Sequence, residues 1–138
     1  MKKTILITGA TAGIGKATAT KLARKGHKII LLSRDKQKLL QTKKEIVEET
    51  NNNNIDIVQC DLSSQKNIRN TAKRITTKYN SLDILINNAG IHSKEALMSE
   101  DGIEKTFAVN HLAYFLLTGL LLKLLKKGVD PRIINVSS

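Results

Sequence analysis

Aromatic residues make up only 3% of this chain and tryptophan is absent, which leaves few platforms on which unpaired bases could stack. The one cysteine, Cys60, can close no internal disulfide and has no companion for a metal site. A reducing, cytoplasmic setting is therefore expected, with Cys60 a small buried residue at a strand end and no bound metal. Acidic residues are outnumbered 12 to 23 by Lys and Arg, for a formal charge of +11. That excess invites a nucleic-acid reading. The distribution argues against specific binding, because Lys36, Lys38, Lys43 and Lys44 alternate with Glu45, Glu48 and Glu49 as on a solvated helix face. Long apolar runs are also missing. Ile5-Leu6-Ile7 breaks at Gly9, too soon for a signal peptide, and no small-residue cleavage site follows. Leu112 to Leu125 is interrupted by Thr118, Gly119 and Lys123 and falls short of the roughly 20 residues of a transmembrane segment. A buried helix is the better expectation there.

What is present suffices for one domain. At 138 residues, with 41% apolar and 25% charged, the chain can build a substantial core but not two ordinary ones. Apolar runs at Thr4 to Thr8, Lys28 to Ser33, Ile55 to Cys60, Asp83 to Asn87 and Arg132 to Ser137 are continuous rather than alternating, as for parallel strands buried on both faces. Between them lie helical stretches near Gly13 to Lys25, Lys36 to Glu49, Gln65 to Tyr79 and Glu100 to Lys127. Gly26 fits a left-handed helix end, Gly128 closes the last helix, and Ser63 or Ser64 caps the third. Asn51 to Asn54 reads as a polar surface loop whose repetition is a compositional accident. Alternating strands and helices imply an α/β doubly wound parallel sheet of the Rossmann type, in strand order 3-2-1-4-5, with a crevice at the carboxyl ends of strands one and four.

Chemistry-bearing residues cluster at those carboxyl ends. Thr8-Gly9-Ala10-Thr11-Ala12-Gly13-Ile14-Gly15 follows the first strand and opens a helix. Such a turn lets backbone approach a pyrophosphate while the helix start offers N–H groups and a positive dipole end. The second strand ends at Ser33-Arg34-Asp35. Asp35 lies at the distance where an acid would hold ribose hydroxyls and favour NAD, but Arg34 comes first, and a guanidinium fork matches a 2′-phosphate. The bland alternative makes Arg34 a surface charge and Asp35 a helix cap. Asp61-Leu62 follows the third strand, where an acid often starts a turn. Asn87-Asn88-Ala89-Gly90 ends the fourth. Asn110 sits in an apolar helix, a poor place for asparagine on propensity grounds. His111 reads as packing.

In family order and from end to end, these motifs resemble the short-chain dehydrogenase/reductase family: Thr8-Gly9-x-x-x-Gly13-Ile14-Gly15, Asp61-Leu62, Asn87-Asn88-Ala89-Gly90, Asn110 and Ile133-Ile134-Asn135-Val136-Ser137-Ser138. The run Ser99 to Glu104 with Val109-Asn110-His111-Leu112 and Phe115-Leu116-Leu117-Thr118 resembles the retinol dehydrogenase-like branch. The resemblance implies hydride transfer between a nicotinamide and a small-molecule carbonyl or alcohol. Gly9, Thr11, Gly13, Ile14, Gly15, Ser33, Arg34, Asp61, Leu62, Asn88, Ala89 and Gly90 would then bind the cofactor. Ser33 stands where NAD users place their acid and Arg34 where NADP users place their base. Ala12 lacks the second cation many of them carry. NADP is the expected cofactor, with NAD the alternative. By the same resemblance Asp61 meets the adenine amino group, Asn110 perturbs its helix and holds a relay water, and Ser138 is the catalytic serine that bonds the substrate oxygen.

One element of the family pattern is not found. Its acid/base is a Tyr-x-x-x-Lys pair, in which one helical turn brings a lysine beside a phenol and lowers its pKa. Tyr79 is followed four places on by Asp83 and Tyr114 by Thr118. The expectation is an amino-terminal portion of such an enzyme, inactive by itself and with an open strand edge, the complete protein forming homo-oligomers. A non-catalytic nucleotide-binding or regulatory module, or a basic nucleic-acid or membrane-surface protein, are the alternatives.

Overall fold

The computed structural model describes residues 1–137. Its elements run β1 (Thr4–Thr8), α1 (Gly13–Arg24), β2 (Lys28–Ser33), α2 (Lys36–Thr50), β3 (Ile55–Gln59), α3 (Gln65–Lys78), β4 (Ile84–Asn87), α4 (Lys105–Lys126) and β5 (Arg132–Asn135). All strand pairs are parallel and the sheet order is β3-β2-β1-β4-β5, the expected doubly wound arrangement. The order reverses between β1 and β4, so the crevice opens where Thr8 and Asn87 end their strands.

Burial on both faces explains the uninterrupted apolar strands. Leu6, Ile30, Leu32 and Leu85 turn to one side, against Ile68, Ala72 and Ile75 of α3 and Leu117, Leu121 and Leu124 of α4. Ile5, Ile7, Ile29, Leu31 and Ile86 turn to the other, against Ala19 and Ala23 of α1 and Leu39 and Ile46 of α2. Each buried Leu or Ile side chain contributes about 1.5–3 kcal/mol. Across the solvent side of the second layer, Lys16–Glu45 and Arg24–Glu49 join α1 to α2. Exposed pairs of this kind are worth about 0–1 kcal/mol each.

Helix ends follow the capping residues. Gly26 takes φ +85° after α1, Asp35 caps α2 by accepting from the Lys38 N–H at 3.1 Å, and Ser64 caps α3 by accepting from Asn67 N–H at 3.2 Å. The asparagine run is no accident. Asn51 ends α2 at φ +57°, and the Asn52 amide donates to the carbonyls of Ala23 and His27 at 2.9 and 2.8 Å. It therefore locks the loop under β2. At the same end of the sheet the buried Asp83 carboxylate accepts from the N–H groups of Thr4 and Val129, each at 2.7 Å. Gly128 does not end its helix in the left-handed region. It is small because a Cβ there would strike the Leu82 carbonyl.

Three expectations need correction. The last helix begins at Lys105, not Glu100, because Gly102 at φ +71° turns the chain and the Glu104 carboxylate caps the N–H groups of Thr106 and Phe107. Starting there and running to Lys126, it spans 22 residues with mean hydropathy 1.6 in its most apolar stretch, so it is long and apolar enough to cross a membrane. In this fold its buried stripe packs on α3 and the sheet. Finally, β5 is not a buried strand: Arg132, Ile133, Ile134 and Asn135 are all exposed, since among the described residues only β4 pairs with it.

Candidate functional site

The glycine turn is shaped by crowding from β4. Gly9 takes φ +63°, and a Cβ there would stand 2.7 Å from Ala89 Cα. A Cβ at Gly15 would run into the Gly9 carbonyl and the Asn88 amide. Both positions demand glycine for space, and Gly9 and Gly13 (φ +52°) also for handedness. Helix α1 starts after Ala12 with no side-chain cap and no acid in its first turn, so its leading N–H groups are left to an outside acceptor. Ile14, at the turn's crest, is exposed.

Hydroxyl and amide groups weld this turn to β4. Thr8 Oγ1, fully buried, accepts from the N–H groups of Asn88 and Ala89 at 3.0 and 2.9 Å. In return the Asn88 side chain donates to the carbonyls of Thr8 and Gly9, each at 3.2 Å. Asn87 Nδ2 reaches the other way, donating to Asn135 Oδ1 at 2.9 Å and Thr118 Oγ1 at 3.1 Å. Its Oδ1 is buried without a partner among the described residues. Tyr114 completes the set: its hydroxyl donates to the Ala89 carbonyl at 2.7 Å.

A cavity of about 560 Å³ runs along these strand ends, lined by Gly9, Thr11, Ala12, Gly13 and Ile14, by Ser33, Arg34, Asp35 and Lys38, and by Asp61, Leu62 and Asn88 to Gly90. Its size suits a cofactor. Thr11 Oγ1 lies 3.4 Å from Ser33 Oγ at the β1–β2 junction. Arg34 is exposed and makes no ion pair among the described residues, while its carbonyl accepts from Gln59 at 3.1 Å. Asp35 is a helix cap, the blander of its two readings. Asp61 opens a turn, its Oδ1 accepting from Ser63 N–H at 2.9 Å and Ser63 Oγ at 2.7 Å. Partial burial pushes that carboxyl up, but the Ser63 bonds, with Lys105 and Arg34 nearby, outweigh it and hold Asp61 below the usual range. The Cys60 thiol, behind Asp61, is raised by burial.

Asn110 sits where its helix departs from α geometry. Residues Ala108–Leu112 form a π-helical turn, and the amide grips the Ile91 backbone in both directions, accepting from its N–H at 2.8 Å and donating to its carbonyl at 2.9 Å. The side chain thus stands beside Gly90. His111 is exposed and stacks on Phe107, 5.2 Å between ring centroids, rather than filling the core. Ser138 lies outside the described residues. Among the described residues no group of His, Cys, Asp or Glu could hold a metal.

Sequence reasoning placed Thr8 in the turn without its bonds to β4, and passed over Tyr114, Lys38 and Lys105. Tyr114 was weighed only as half of an acid/base pair, and Lys38 only as a solvated charge. Helical spacing from Asn110 could have placed Tyr114 one turn along on the same face. Nothing in the sequence signals its Ala89 partner.

A family model described as short chain dehydrogenase matches residues 3–138. Over 136 residues the chain is 48% identical to human retinol dehydrogenase 13, covering 99% of this chain and 41% of that protein. It is 41% identical to a chloroplastic short-chain dehydrogenase, TIC 32 A of Brassica napus, covering 98% of this chain and 44% of that one. A short-chain dehydrogenase from Shigella flexneri, solved in complex with NADP, is 34% identical at a TM-score of 0.84, with 99% of this chain and 59% of that one covered. The chain spans less than half the length of these curated relatives.

Proposed function

The chain belongs to the short-chain dehydrogenase family, and on that premise we propose that residues 1–138 form one cofactor-binding unit that prefers NADPH to NADH. The observation that carries this reading is the uncapped start of α1 beneath a turn in which Gly9 and Gly15 leave no room for side chains. The residues fit the group. The diphosphate takes the free N–H groups at Gly13 to Gly15, Asp61 and Leu62 hold the adenine edge, and Asn88, Ala89 and Gly90 shape the nicotinamide side. Thr11 and Ser33 offer hydroxyls to the adenosine ribose. Asp35 spends a carboxylate oxygen on its own helix, whereas the Arg34 guanidinium, exposed and without an ion pair among the described residues, is available to a 2′-phosphate.

When bound, the cofactor supplies a hydride acceptor or donor for an alcohol or carbonyl carbon. The chain's own groups position rather than react. Asn110, clamped on Ile91, holds the floor beside Gly90; by the family resemblance it would order a water there, and Ser138 would meet the substrate oxygen. No Tyr-x-x-x-Lys occurs in these residues, so the 138-residue chain binds without turning over. The names of the relatives support an apolar, retinoid-like alcohol or aldehyde as substrate of the whole enzyme.

Fluorescence titration of the 138-residue chain tests the reading. NADPH should bind about tenfold more tightly than NADH, the value of one charge-assisted contact. Equal affinities would remove the NADP preference, and no binding of either would remove the cofactor reading. Steady oxidation of NADPH with a carbonyl substrate would refute the absence of turnover.

A further inference from the structure

We propose that the free edge of β3 is a docking groove for an extended acidic peptide segment, which adds a strand to the sheet there. The site lies outside the cofactor crevice and does not depend on the cofactor reading. Among the described residues β3 pairs only with β2, so it is an edge strand. That pairing fixes which groups face outward. The Cys60 N–H donates inward to the Ser33 carbonyl at 2.9 Å, and the Asn54 carbonyl accepts inward from the Ile29 N–H at 3.0 Å. Alternation along the strand therefore turns the Ile57 N–H and carbonyl away from β2. Neither has a hydrogen-bond partner among the described residues, and Ile57 is half-buried. The Gln59 carbonyl, next on that side, is already held by the Arg74 guanidinium at 3.2 Å.

The groove along this edge, about 400 Å³, is walled by two helices of like charge. Lys36 reaches it from α2, and Arg74 and Lys78 from α3, around Ile57, Val58 and Gln59. No carboxylate lines it. Asp56, one residue before Ile57, is already engaged: its Oδ2 accepts from the Tyr79 hydroxyl and lies 3.1 and 3.5 Å from the ammonium groups of Lys28 and Lys78. Lys36 and Arg74 make no ion pair among the described residues. Helix α3 carries Lys66, Arg69, Lys73, Arg74 and Lys78 and no acid at all. Cations along a strand edge repel an identical edge. Two copies of β3 brought together would set each group of cations against its like, so the occupant is an acidic segment rather than a second copy. Successive side chains of a strand point to opposite faces. Consecutive glutamates or aspartates would therefore reach Lys36 on one side and Arg74 with Lys78 on the other, while the peptide backbone bonds Ile57.

Fluorescence anisotropy with a labelled Val-Glu-Glu-Glu-Val peptide at low salt tests the assignment on the 138-residue chain. This peptide should bind, and Val-Lys-Lys-Lys-Val should not. Lys36→Met and Lys78→Met should each weaken binding about fivefold, the upper value of a surface charge contact. Lys36→Met should leave the melting temperature unchanged, since that side chain holds nothing in the fold. Methylating the backbone nitrogens of all three glutamates keeps their charge and removes their donors, and should cost at least as much as either variant. Saturating peptide should slow amide exchange at Ile57 and leave the inward-facing Cys60 unaffected. Full binding by the methylated peptide, or a loss from Lys78→Met without one from Lys36→Met, overturns the strand addition and leaves only attraction to α3. No binding of the acidic peptide, or self-association of the chain that protects Ile57 in its place, overturns it outright. None of these outcomes bears on NADPH, so the two readings stand or fall separately.

Discussion

The two sides of the crevice are built from the same kind of strand end, yet they differ in how completely each is enclosed. On the β1–β4 junction the polar groups of Thr8 and Asn88 are engaged: Thr8 holds two N–H groups of β4's extension, Asn88 answers with two bonds, and Gly9 and Gly15 meet backbone at the limit of contact. At β5 the same sheet ends in the open, with Ile133 and Ile134 42% and 44% exposed and Asn87 Oδ1 unpartnered among the described residues. The difference teaches that the diphosphate region is preorganised by bonds internal to these residues. The outer face of β5 draws almost nothing from them.

That contrast can be broken or sharpened by substitution, read as urea-unfolding midpoints by far-ultraviolet circular dichroism. The largest effect is expected at Gly15→Ala. A methyl there forces apart the Gly9 carbonyl and the Asn88 amide, and overpacking against backbone costs about 3 kcal/mol. A loss under about 1 kcal/mol would mean that the turn yields easily. Next is Thr8→Val, which keeps the shape and removes the shared acceptor of Asn88 and Ala89, for about 2 kcal/mol. Smallest is Ile134→Thr on β5, which keeps the strand-favouring branch and should change stability by no more than about 0.5 kcal/mol. A larger cost at Ile134 would show β5 to be buried in solution, and the comparison would fail.

Much of the fold could be read in advance because the signals were local. Continuous apolar runs marked β1 and β2 at the bounds the structure has, and Gly26 ended α1 as its missing side chain allows. Where partners are distant the reading ran short. Asp35 offered two roles, and only the position of the Lys38 N–H decided between them. Asn52 looked like filler until its amide was seen to join two carbonyls far away in sequence. The strand-like composition of Arg132 to Asn135 carried no sign of its exposure, because burial depends on what packs above a strand.

By itself the sequence determined the alternation of strands and helices, the glycine spacing and the placing of chemistry at strand ends, since these arise from side-chain volume and backbone freedom at each residue. Only the tertiary structure decided that Tyr114 bonds Ala89, that Asn110 grips Ile91 through a π turn, and that Lys38 shares a cavity with Arg34. Those contacts join residues far apart in the chain or set by the orientation of a whole helix, and no local preference encodes which group will meet which.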